Sequence, residues 1–200
     1  MVRAKIFIFC TMILCIVVFI NISVQHIGHN HYTKNNLKLY DLIQECTPNF
    51  HKYEYLVNII PLLIISSLFY LPITTKIMEE FFIKFFIILI IRALTTFTTI
   101  LPKHEKCEVN LKWTSLLLGG CYDKLFSGHT AFTTLWTLIF LNEKFINTFQ
   151  FWFINLINSV AIITTHSHYT VDVILGFIIT FFVYDSDHVL KFVDYLSLKK

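Results

Sequence analysis

Three ionisable side chains stand at the ends of apolar runs, with types and spacing suited to phosphoryl transfer. His168 and Asp172 are four residues apart in HYTVD (168–172). On a helix such a pair shares one face within side-chain reach. A carboxylate there accepts the Nδ1 proton of the imidazole, holds the ring's orientation, leaves Nε2 as a lone pair and stabilises positive charge on the ring. A histidine held this way is suited to attack phosphorus. His129, in LFSGHT (125–130), opens a second apolar run. Gly128 beside it lets a ligand approach the backbone, and the first-turn amides after Ser127 can receive phosphate oxygens. From the opposite side of the phosphorus, His129 would protonate a departing alkoxide and then deprotonate an incoming alcohol. Arg92 lies inside another apolar run, with Thr95, Thr96 and Thr99 on its helical face. A guanidinium on such a stripe binds a phosphate or pairs with a carboxylate.

Other chemistries have to be weighed against this one. A single histidine near a membrane interface is most often a hydrogen-bonded or snorkelling group. Two histidines and a carboxylate entering from one face are harder to assign to packing. The rival is a metal site, because His166, His168 and Asp172 are ligand types and His129 is the obvious further one. His26, His29 and His31 read as part of a solvated loop.

The elements that must carry these residues are membrane helices. The chain has 200 residues, of which 56% are hydrophobic and 14% charged, with 21 phenylalanines. A water-soluble domain of this size cannot hide that much apolar surface behind so little charge. The net charge of +3 has no basic block, which excludes a nucleic-acid partner. Apolar runs predict spans at 6–24, 55–71, 81–101, 125–141, 149–165 and 169–184, the last three short for a hydrocarbon core of about 30 Å. The expected fold is therefore all-α, a polytopic bundle of about six transmembrane helices. The first run, led by Arg3 and Lys5 and followed by no small-x-small cleavage site, reads as an uncleaved anchor. Six spans put His129 and His168 on one face, although Lys and Arg divide eight to seven between the faces and leave orientation open. Cys10 and Cys15 read as buried hydrophobes, while Cys46, Cys107 and Cys121 share one side, where Cys107 and Cys121 are either bridged or free.

The two signatures resemble those of one family. The run from Gly120 through Cys121, Tyr122, Asp123, Lys124, Leu125, Phe126, Ser127, Gly128 and His129 to Thr130 is similar to the Cys-Gly-Asp-x-Leu-Phe-Ser-Gly-His-Thr signature of sphingomyelin synthases. His168, Tyr169, Thr170, Val171, Asp172 and Val173 resemble its second signature, and the segment from Arg92 to Pro102 resembles its third-span motif. The resemblance covers roughly residues 40–185. It implies a catalytic domain over 40–185, preceded by an anchor and connector (1–39) and followed by a short tail (186–200). It also implies relatedness to lipid phosphate phosphatases and an active site on the lumenal or exoplasmic face of the Golgi, endoplasmic reticulum or plasma membrane.

By the same resemblance His168 is the nucleophile, Asp172 its partner and His129 the acid/base. Arg92, Asp123, Ser127, Gly128, Ser167 and Tyr169 are expected to line the substrate site. Phosphocholine or phosphoethanolamine would move from a glycerophospholipid donor to a ceramide acceptor, releasing diacylglycerol with no metal or other cofactor. Lipid phosphate hydrolysis, headgroup exchange onto diacylglycerol, and an inactive lipid-binding protein are the alternatives. The chain departs from the family at Ser167, where an acidic residue is usual, at Tyr122, where glycine is usual, and at Leu39-Tyr40-Asp41-Leu42, which stands in place of a proline-rich motif.

Overall fold

A computed structural model describes residues 2–35, 39–102, 121–122 and 125–197. Among them every regular element is helical. In chain order these are α1 (Val2–Asn35), the short α2 (Leu42–Cys46), a 3₁₀ segment (His51–Asn58) leading into α3 (Ile59–Ser67), and α4 (Thr75–Thr98). There follow α5 (Gly128–Asn142), α6 (Thr148–Thr164), α7 (Thr170–Asp185) and α8 (Asp187–Ser197). Asp123 and Cys107 lie outside the described residues. Cys10, Cys15 and Cys46 are free thiols, and Cys121 is disulfide-bonded.

Local chemistry sets the boundaries. Ser127 caps α5 by accepting the Thr130 N–H at 3.2 Å, and Thr74 caps α4 through the Ile77 N–H. Asn147 and Gln150 form a reciprocal capping box at α6, each bond 2.9 Å long. The expected span over 55–71 is shortened, because its first residues belong to the 3₁₀ segment, which runs through Asn58, and the regular helix covers only Ile59–Ser67. Pro61 falls in that first turn, where its missing N–H costs nothing.

Two stretches differ from the sequence reading. The His26, His29 and His31 segment is not loop. Instead α1 runs on to Asn35, its exposed end supported by i, i+4 bonds from Asn30 to His26 and from Thr33 to His29. The short tail expected after 185 holds a further helix. Extended backbone at Ser186 breaks the helix, and α8 leaves α7 at 63°.

Helix α5 is the axis of the bundle, packed by α3, α4, α6 and α7. Ten of its fifteen residues are buried, including the continuous run from Thr133 to Phe140. Phe81 of α4 stacks on Trp136 of α5 with centroids 4.1 Å apart, and Phe85, Phe132 and Phe140 extend the cluster. Each such aromatic pair contributes about 0.5–1.5 kcal/mol beyond its area burial. Between α5 and α6 the contact is polar: Thr134 donates to Asn155 at 2.8 Å, and Asn155 donates to Thr137 at 2.9 Å. At one end of the bundle the buried Lys84 ammonium meets Glu80 at 2.6 Å and the Tyr184 carbonyl at 3.3 Å, pinning the last turn of α7 to α4.

By length and apolarity alone, Ile6–Thr33 and Thr75–Thr98 are each long enough to cross a membrane. The bent pair α7–α8 makes a third if counted as one span. Helices α5, α6 and α7, with 15, 17 and 16 residues, reach only about 22–26 Å. The shortness read from the sequence is thus real, and α5 tolerates it because protein surrounds it.

The bulk of Tyr122 is accommodated by α1. Its ring is buried and stacked on Tyr32 at 6.0 Å, and it covers Gly28, where a Cβ would lie 2.6 Å from the ring. Gly28→Ala should therefore lower the melting temperature, by an amount equivalent to about 1–3 kcal/mol. In a Tyr122→Ala background the same change should raise it, since alanine then keeps only its helix advantage of about 0.5–1 kcal/mol. Thermal unfolding of the four-member cycle in detergent checks the change of sign.

Candidate functional site

The site forms where α5 and α7 begin. Chain reversal out of α6 is made by a Schellman turn: the Ser167 N–H bonds the Ile162 carbonyl, the His166 N–H bonds the Ile163 carbonyl, and His166 takes φ 55°. That left-handed position usually falls to glycine, and histidine is among the residues that tolerate it. The turn delivers Ser167 and His168 to the mouth of α7. Ser167 is buried, its hydroxyl 2.9 Å from that of Thr165.

In α7 the Asp172 carboxylate is wholly buried. Its Oδ2 accepts the Tyr169 N–H at 3.0 Å and stands 3.4 Å from His168 Nδ1. The latter distance is an ion-pair contact at the long end of hydrogen bonding. The His168 side chain is 10% exposed, so the ring is held from below yet reachable. Tyr169 is buried, and its hydroxyl donates to the Pro102 carbonyl at 3.2 Å.

The two signature segments are joined directly. The Ser127 N–H donates to the Asp172 carbonyl at 3.1 Å. Gly176, one turn beyond Asp172, allows this approach: a Cβ there would lie 3.0 Å from the Ser127 carbonyl oxygen and 3.2 Å from Thr130 Cβ. Next to Ser127, Gly128 is open on the side where a Cβ would sit, with nothing within 4 Å. Beyond it His129, half-buried, donates from Nε2 to Asn58 Oδ1 at 2.9 Å. An amide oxygen accepts, so this contact keeps a proton on Nε2 and sets the orientation of the ring. Arg92, buried in α4, donates from Nε to the Phe126 carbonyl at 3.1 Å, so its guanidinium braces the backbone that leads into Ser127.

The structure thus brings His129, His168, Asp172, Ser127, Gly128, Ser167, Tyr169 and Arg92 to one end of the bundle, and Asp123 is outside the described residues. Three residues not singled out for this role join them: Asn58, Asp41 and Gln44. Asp41 accepts the N–H and the hydroxyl of Thr170, and Gln44 donates to the His168 carbonyl.

Residues 120–189, the stretch containing both histidine segments, match the PAP2 superfamily C-terminal family model. The chain is 34% identical over 116 residues to phosphatidylcholine:ceramide cholinephosphotransferase 2 of Rattus norvegicus, covering 44% of this chain and 32% of that protein. The similarity is to sphingomyelin synthases. The Homo sapiens cholinephosphotransferase 2 gives 33% over 118 residues and the Gallus gallus cholinephosphotransferase 1 gives 32% over 116, each covering 44% of this chain. The matched part spans about a third of the length of these sphingomyelin synthases. No solved structure matches. An integral membrane protein with a lipid phosphotransferase type of function is what these likenesses and the apolar helices support.

Two outcomes follow. Gly176→Ala should separate the starts of α5 and α7, because the backbone oxygen it meets also accepts the Ala131 N–H. Lipid phosphotransfer per folded molecule should fall by about 10²-fold, the loss expected of a shift near 1 Å. The second concerns Asp41. Burial works to raise its carboxyl, but hydrogen bonds from Thr170, Gln44 and Ile43 outweigh it and hold the group below its ordinary value of 3.8. A carboxyl depressed on folding contributes stability above its unfolded pKa and loses it as pH falls through the folded one. The melting-temperature advantage over Asp41→Asn should therefore be level near neutral pH and shrink below about pH 4.

Proposed function

We propose that this chain is a lipid phospho-headgroup transferase of the sphingomyelin synthase type. It moves phosphocholine or phosphoethanolamine from a glycerophospholipid to ceramide and releases diacylglycerol. The observation that carries this reading is the Ser127–Asp172 backbone bond, which sets the His129 and His168 segments side by side with a carboxylate under one of the two rings.

In the first half-reaction His168 Nε2 attacks phosphorus, the bond from phosphorus to the diacylglycerol oxygen breaks, and His129 gives that oxygen its proton. In the second, the primary hydroxyl of ceramide surrenders its proton to His129 and attacks phosphorus, breaking the bond to His168. Asp172 holds the His168 ring and offsets its positive charge in between. First-turn amides of α5 and the open face of Gly128 receive the phosphate oxygens. Residues 40–185 form the catalytic domain, six spans cross the bilayer, and the site faces the lumenal or exoplasmic side. The placement of both histidine segments on one face is supported by the common end at which the α5 and α7 starts, Asn58 and Arg92 of α4 meet.

His168→Ala in liposomes carrying fluorescent ceramide and mixed phospholipids should lower product formation by at least about 10³-fold. Undiminished transfer by the folded variant sinks the assignment. Rapid phosphate release from phosphatidic acid in the absence of ceramide would instead identify a phosphatase.

A further inference from the structure

The backbone around His168 is gripped by side chains from a part of the chain more than 120 residues away. Gln44, buried in α2, donates its Nε2–H to the His168 carbonyl at 2.8 Å. The same peptide unit presents the Tyr169 N–H on its other edge, and this goes to Asp172 Oδ2 at 3.0 Å. One residue further, Asp41 Oδ2 takes the Thr170 N–H at 2.6 Å, and its Oδ1 takes the Thr170 hydroxyl at 2.9 Å. Asp41 also caps α2, accepting the Ile43 and Gln44 N–H groups at 3.1 and 3.2 Å. The carboxylate that holds Thr170 therefore starts the helix that presents Gln44, and the two act as one unit.

Helix capping accounts for only part of this unit. The first N–H groups of a helix need acceptors; Asp41 supplies one to Thr170, the first residue of α7, while Asp172 serves the Tyr169 N–H just before it. The Gln44 amide caps nothing in α7, being a donor directed at the carbonyl of His168 itself, and together Gln44 and Asp41 hold the peptides on either side of Tyr169. They fix the rotation of the peptide plane after His168, and with it the direction in which the imidazole leaves the backbone.

We infer that α2 is a clamp that aims His168, which makes Asp41 and Gln44 positioning residues. The inference rests on the reading of His168 as the attacking group. An in-line displacement is sensitive to such aim, since a shift of about 1 Å costs on the order of 10²-fold. The resemblance to sphingomyelin synthases locates no such role at Leu39-Tyr40-Asp41-Leu42; the contacts in the structure do.

The test uses the full chain in liposomes with three variants. Gln44→Leu keeps the bulk and the α2 cap but removes the donor, Asp41→Ala removes the carboxylate, and Glu45→Gln alters an exposed neighbour on the same helix. One readout is the rate at which diethyl pyrocarbonate modifies His168, measured by peptide mass relative to the exposed His188. The other is headgroup transfer per folded molecule. Gln44→Leu and Asp41→Ala should speed His168 modification several-fold and lower kcat by about tenfold or more, with KM within about twofold, and Glu45→Gln should change neither. Should Asp41→Ala fail to fold, Gln44→Leu carries the test alone. Normal His168 reactivity in folded Gln44→Leu overturns the clamp, whatever the transfer assay gives. Faster modification in a chain whose unsubstituted form transfers nothing supports the clamp and rejects the transferase reading.

Discussion

The site depends on one backbone hydrogen bond, from the Ser127 N–H to the Asp172 carbonyl. Neither residue has to leave its helix start to make it, and both are buried. Because Ser127 is the cap of α5 and Asp172 lies in the first turn of α7, the bond sets two helix N-termini side by side. Their partial positive ends then face the same small volume, which suits a phosphate diester and a carboxylate partner. Gly176 is the steric condition for this contact, and Arg92 supports it from α4 through the Phe126 carbonyl.

Burying so many polar groups at one end of an apolar bundle is tolerable only if they are paired, since each unpaired one costs several kcal/mol in hydrocarbon. Here the pairing runs through the candidate site itself. The Asp172 carboxylate serves the Tyr169 amide and the His168 ring together, and the Asn58 amide orients His129. Short helices follow from this arrangement. Helix α5, packed by α3, α4, α6 and α7, starts within protein, where its cap and the backbone bond to Asp172 satisfy polar groups that lipid would leave unpaired.

Much of this was legible in the sequence because it is local. The His168–Asp172 contact, the helix start at His129 and the apolar runs follow from spacing, although His168 stands just outside the helix, which begins at Thr170, and meets Asp172 across the first turn rather than along a helical face. The predicted starts of the last three spans fall within a few residues of α5, α6 and α7. What escaped was long-range or came from short polar segments. Nothing near Asn58 announces that it meets His129, 71 residues later, and nothing near Asp41 announces that it meets Thr170, 129 residues later. The polar end of α1 has no apolar periodicity and read as loop, yet i, i+4 side-chain bonds sustain it as helix. The break before α8 falls at a Ser-Asp pair, 186–187, of the kind that starts helices. Tyr122 departs from the family pattern in isolation, and only the fold shows Gly28 beneath it.

A covalent phospho-histidine intermediate is the centre of the account, and it can be sought directly. The chain in liposomes would be given phospholipid labelled in its headgroup, quenched under alkaline conditions, digested and analysed by peptide mass. The account predicts a headgroup phosphoryl adduct on His168 that accumulates without ceramide and disappears when ceramide is supplied. Transfer that proceeds with no adduct on any histidine, or with the adduct on His129 alone, would contradict it.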